Sequence, residues 1–173
     1  MIRTIKFRGK VTRDYQGLPK GSWVYGSLDV QGPVIITHTT TVGYDVHSES
    51  YEVDGDTIGE FTGLEDSGGR EIYEGDIFEI VAHPNIYERT VDGERRTIHP
   101  GVTIHYIVAW NSEDAGFYAR IMHVDPKGVK VGSTTVPQQE IAVGDLHMLH
   151  SFFNEHRSEV IIGTVHDMGD NDD

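Results

Sequence analysis

Ten histidines and no cysteine define the chemistry open to this chain of 173 residues. Imidazoles and carboxylates can ligate metals or move protons, while disulfides, thiolate metal sites and cysteine nucleophiles are excluded. His147 and His150 stand three apart, with His156 just beyond them. On a helix the first two share a face, which permits a two-histidine metal chelate. They lack the i, i+4 spacing and the internal glutamate of HExxH, so an ordinary structural role is preferred: His147 in solvent, and His150 beside an apolar stripe with its ring bonded to a backbone carbonyl. His38, His47 and Glu49 make a looser set, and His105 reads as a hydrogen-bonded histidine of a central strand. Glu71, Glu74 and Asp76 can share a proton only if buried together. Asp76 after Gly75 is better read as a turn former, with the glutamates in water. Neither a phosphate-binding glycine loop nor a GxSxG elbow occurs, so no catalytic residue and no cofactor is assigned.

Charge offers a binding surface instead. Fourteen Lys and Arg against 28 Asp and Glu give a formal charge of -14. Over residues 1–20, Arg3, Lys6, Arg8, Lys10, Arg13 and Lys20 are opposed by Asp14 alone, a local +5 that leaves -19 on the other 153 residues. From Glu49 to Glu79 there are eleven acids and one base, Arg70. Lys6, Arg8 and Lys10, with Trp23 and Tyr25 as stacking aromatics, are the candidate nucleic-acid or partner-binding residues. A body of -19 repels a polyanion, so the preferred reading docks the basic arm on the acidic segment of its own chain or of a neighbouring subunit.

The elements that must position these groups are mostly strands. Ile5 and Phe7 alternate with Thr4, Lys6 and Arg8, which predicts a half-buried strand with its basic side chains facing outward. Trp23–Leu28 and Val34–Ile36 flank a Gly32-Pro33 turn as a hairpin. Residues 37–50 are β-prone but polar and suit an edge strand or exposed loop. Asp66-Ser67-Gly68-Gly69 and Gly75-Asp76 mark two tight turns. Ile77–Ala82, Val102–Trp110 and Gly116–Met122 follow as strands, with His83–Gly101 between the first two as an extended hairpin or flexible insertion. In the middle strand Ile104, Tyr106, Val108 and Trp110 lie on one face, the pattern of a central strand. Leu146, Leu149 and Phe153 have helical period behind an Asp145 N-cap, predicting one short helix over 145–156. Glu159–Val165 reads as a closing strand and 169–173 as a frayed tail. No apolar run near 18 residues and no signal-peptide core is present, which gives the expectation of a cytoplasmic protein.

Several blocks together resemble a known family: Lys6-Phe7-Arg8-Gly9-Lys10; Trp23-Val24-Tyr25-Gly26-Ser27-Leu28; Thr57-Ile58-Gly59-Glu60-Phe61-Thr62-Gly63-Leu64; Gly69-Arg70-Glu71-Ile72-Tyr73-Glu74-Gly75-Asp76-Ile77; and Glu159-Val160-Ile161-Ile162-Gly163. Their order and spacing resemble the YopX-like proteins of phages and prophages. The resemblance implies a mainly β fold; with the helix read above from its apolar period, the expectation is all-β but for one short C-terminal helix. An N-terminal β subdomain (1–61) would precede a small SH3-like barrel (62–168). The resemblance also implies homo-oligomers and no known reaction. The insertion 83–101 and the helix 145–156 depart from the family pattern. Three functions follow in order: a non-enzymatic phage accessory protein in the bacterial host, acting by homo-oligomerisation and binding of a phage or host protein; a nucleic-acid-binding module using the basic arm; and a metal-dependent hydrolase using the histidines.

Overall fold

Alternating side chains build strands almost throughout the computed structural model, which describes residues 4–15, 17–82, 86–89, 93, 95–98, 102–125, 128–131, 134–137, 146–149 and 160–167. The chain divides into two units, Met1–Gly75 with His166–Asp173, and Asp76–Val165. Residues 62–75, placed by the sequence with the second subdomain, belong to the first unit.

The first unit is one antiparallel sheet of β1 (Phe7–Lys10), β2 (Trp23–Asp29), β3 (Ile35–Val42), β4 (Asp45–Glu52), β5 (Gly59–Glu65) and β6 (Glu71–Tyr73), in the order β4-β3-β2-β1-β5-β6. Its apolar core is Val11, Val24, Ile36 and Val53, packed by Phe7, Leu28 and Ile58. Removing these branched side chains from water is the main stabilising term here. The alternation in β1 is present, but its two faces are not the apolar and aqueous faces that the sequence predicts. Ile5 is 67% exposed, whereas Arg8 is only 2% exposed. The reason is that both faces of β1 are covered, and on the second the cover is aromatic. The predicted turn at Asp66 joins β5 to β6: its Oδ1 accepts from the amides of Gly68 and Arg70 at 2.8 and 2.9 Å. Gly69 supplies the positive φ of +78°.

The second unit holds β7 (Asp76–Ala82), β8 (Ile86–Arg89), β9 (Arg95–Ile98), β10 (Val102–Asn111), β11 (Gly116–Asp125), β12 (Gly128–Val131), β13 (Thr134–Pro137), β14 (Leu146–Met148) and β15 (Ile161–Thr164). Five of them form an antiparallel sheet in the order β14-β11-β10-β7-β15, and β8–β9 and β12–β13 are separate hairpins. The insertion thus contains a hairpin. β10 is central, and Ile104, Tyr106 and Val108 are buried with Phe78 and Ile80.

Two expectations are corrected. The sheet is open rather than a closed SH3-like barrel: among the described residues its outer strands β14 and β15 have one neighbour each. Nor is the expected helix seen among the described residues. Leu146–Met148, which should form its first turn, is a strand paired with Tyr118–Arg120 of β11. Backbone pairing along that edge overrides a local apolar period that suits a helix. Asp145 and residues 150–156 lie outside the described residues, as does the tail 169–173. No described helix is long and apolar enough to cross a membrane.

Candidate functional site

Arg8 and Lys10 on β1, and Lys6 just ahead of it, alternate along the chain and so share the face opposite the apolar core. The β1–β2 register sets Arg8 opposite Tyr25 and Lys10 opposite Trp23. The Arg8 guanidinium lies between two rings, 4.6 Å from the centre of Trp23 and 5.1 Å from that of Tyr73. Its Nη2 donates to the Glu74 carbonyl at 2.9 Å. A planar, weakly hydrated guanidinium suits this dry stack better than an ammonium does. Gly59 stands opposite Arg8 on β5. A Cβ there would lie 2.5 Å from the Glu74 carbonyl oxygen, so the site needs glycine for close approach.

The flanking lysines are also engaged within this unit. Lys6 forms a salt bridge with Glu71 and lies 5.6 Å from the Tyr25 ring centre. Lys10 lies 5.4 Å from the Trp23 ring centre, 2.8 Å from Asp167 Oδ1 and 2.9 Å from the His166 carbonyl oxygen. Thr57 Oγ1 accepts from the Lys10 amide and fixes the end of the strand. A cleft of about 120 Å³ lies between Arg8, Tyr25, Arg70, Glu71 and Tyr73. Glu71, placed in water by the sequence, is instead the partner of Lys6 and accepts from the Tyr73 hydroxyl at 2.7 Å.

These contacts perturb three groups. Burial alone would raise the Glu71 carboxyl, but hydrogen bonds from Lys6 and Tyr73 outweigh it and lower the pKa below its ordinary 4.5. Burial, followed by the hydrogen bond to Glu71, raises Tyr73. Burial, followed by the charges of Arg8 and Lys10, lowers His166 below its ordinary 6.5. Glu71 and His166 therefore bind fewer protons folded than unfolded within their windows, and stability falls on acidification. The contribution of His166 is complete above 6.5 and is lost as pH drops through its lowered value; that of Glu71 is complete above 4.5 and is lost further down. Urea denaturation of the native chain is expected to show a larger loss between pH 7 and 5 than His166→Gln shows. Equal losses in the two proteins would remove this role for His166.

A second feature projects from the same sheet. β2 pairs only with Ile35–Thr37, whereas β4 pairs with all of β3 from Ile35 to Val42. Residues 38–50 are exposed throughout. Thr37 and Ser50 hydroxyls are 2.9 Å apart and those of Thr39 and Ser48 are 3.1 Å apart, a ladder on one face of the hairpin. His38 faces Glu49 and His47 faces Thr40 in adjacent pairs, so the loose histidine set shares one face of the hairpin without forming a metal-binding group. At the tip Tyr44 is fully exposed between Val42 and Val46, at 67% and 65%. The sequence reading passed over this aromatic tip; the signal was Val42-Gly43-Tyr44 inside an otherwise polar run.

Among the described residues, no group of three or more His, Asp or Glu is placed to hold a metal ion. His105 Nε2 lies 3.2 Å from Glu79 Oε2, and its ring centre is 5.8 Å from that of His123. His147 lies on a strand rather than a helix face, opposite Ala119, and His150 lies outside the described residues.

A protein-family profile described as YopX protein matches residues 6–148. The chain belongs to the YopX family. The match runs from β1 to β14, so it includes the cation–aromatic face, the projecting hairpin and the insertion. No curated protein and no solved structure matches the chain. Family membership, the arginine stack and the hairpin are thus the features from which a function of this YopX protein must be argued.

Proposed function

We propose that this YopX-family chain is a non-enzymatic accessory protein of a phage or prophage. It works in the cytoplasm of a bacterial host by forming homo-oligomers and binding a further phage or host protein. The observation that carries this reading is the β3–β4 hairpin, which exposes residues 38–50 and ends in Val42, Tyr44 and Val46. A two-stranded hairpin alone is marginal in water, and a fully exposed tyrosine between valines gains most by entering a partner's surface.

The nucleic-acid alternative loses its support from the arm. Arg8 is buried, and Lys6 and Lys10 are engaged by Glu71 and Asp167. Lys6 and Lys10 thereby pair with acids of their own unit. Light scattering over rising concentration is expected to give a mass above the 19.3 kDa of one chain. Titration with duplex DNA at low salt is expected to show no binding. A strict monomer at high concentration contradicts the proposal.

A further inference from the structure

The edge of β4 has a symmetry that its sequence alone does not disclose. In the β3–β4 ladder the Val53 amide donates to the Val34 carbonyl directly opposite, so these two form a hydrogen-bonded pair. Alternation then turns the backbone groups of Asp45, His47, Glu49 and Tyr51 toward β3. Those of Val46, Ser48, Ser50 and Glu52 turn outward. The outward groups of Glu52 are already occupied: the Tyr15 hydroxyl accepts from its amide at 2.8 Å, and the Thr12 amide donates to its carbonyl at 3.1 Å. Among the described residues the free edge is therefore Val46, Ser48 and Ser50, centred on Ser48, between the tip at Tyr44 and the occupied Glu52.

We infer that this edge pairs with the same edge of a second copy, antiparallel, with Ser48 opposite Ser48 on the two-fold axis. The inference rests on the self-association proposed above and names its surface. In this register Val46 faces Ser50 twice, and every free outward group of the strand finds a partner. His47 faces Glu49 twice, and Asp45 faces Tyr51, whose hydroxyl donates to Glu49 of its own chain, so no like charges oppose each other. The neighbouring registers fail on both counts. A two-residue slip one way sets Glu49 against Glu49 and directs Val46 at the occupied Glu52. A slip the other way sets Asp45 against Glu49 and leaves Ser50 against the turn. Only a strand of matching charge order and mirrored spacing satisfies the edge, which is why the occupant is a second copy of this chain.

Because the chain has no cysteine, Ser48→Cys introduces a single thiol. Residues directly opposite in such a ladder are about 5.5 Å apart at Cα, within disulfide range. With oxidised glutathione as the oxidant, Ser48→Cys is expected to give a covalent dimer roughly 100-fold faster than Asp29→Cys, an exposed site off this edge, because paired thiols meet at high effective concentration. Ser48→Glu, which sets two carboxylates on the axis at an exposed position, is expected to shift light scattering toward the mass of one chain at concentrations where the native chain associates. If light scattering shows an oligomer while Ser48→Cys links no faster than Asp29→Cys, this edge is wrong and the self-association reading survives. If the native chain is a monomer at all concentrations, both fall.

Discussion

Replacing Arg8 by alanine is expected to lower the unfolding free energy by about 3 kcal/mol. The estimate combines two desolvated cation–π contacts with a charge-assisted hydrogen bond to a carbonyl, each worth about 1 to 2 kcal/mol in a dry setting. Arg8 is 2% exposed, so water cannot replace what is removed. Arg8→Lys is expected to recover only part of the loss, since an ammonium cannot lie flat between Trp23 and Tyr73 and still reach the Glu74 carbonyl. Urea denaturation at pH 7 checks both, provided the slope is unchanged. A loss under about 1 kcal/mol for alanine would mean that the stack contributes little, and that the face can be opened to a ligand without cost to the fold.

Gly26→Ala is expected to cost a similar amount, about 3 kcal/mol, by overpacking. An added Cβ would lie 2.0 Å from the Thr37 carbonyl oxygen and 2.6 Å from its carbon, both backbone atoms that cannot rotate away. This contact sits where β3 leaves β2: pairing stops at Ser27 and Thr37, and β3 continues with β4 alone. Gly26 thus lets one strand cross closely over another and sends the hairpin outward. Gly63 is the control. Its φ of +86° strains any other residue, but a Cβ there meets open space, so Gly63→Ala is expected to cost about 1 kcal/mol. Equal midpoints for the two variants would show that β2 and β3 can separate to accept a side chain.

Strands were legible wherever period and turn chemistry agreed. Ile104, Tyr106 and Val108 announced a buried face, and Asp66 with Gly69 announced a hairpin tip. The polar run 37–50 announced an exposed edge. What period could not tell was which face meets water when both are covered. The same alternation that put Phe7 against the core put Arg8 under Trp23 and Tyr73, because Gly59 and the Glu74 carbonyl lie 51 and 66 residues away in the chain. Leu146–Met148 failed for the reverse reason: the apolar period favours a helix, but the vacant edge at Tyr118–Arg120 takes a strand. The candidate residues Lys6, Arg8, Lys10, Trp23 and Tyr25 were found together from charge and aromatic content. Their inward engagement was not visible, because it depends on Glu71, Tyr73 and Asp167 returning from distant segments.

The Tyr15 hydroxyl at the Glu52 amide also bears on the fate of the protein at high concentration. An unprotected strand edge is a template for unlimited growth, since each added strand presents a new one. Here the template stops at a tyrosine, and at the opposite end of the sheet β6 is only three residues long, Glu71–Tyr73. A chain built this way can lend its edge once without starting a fibre.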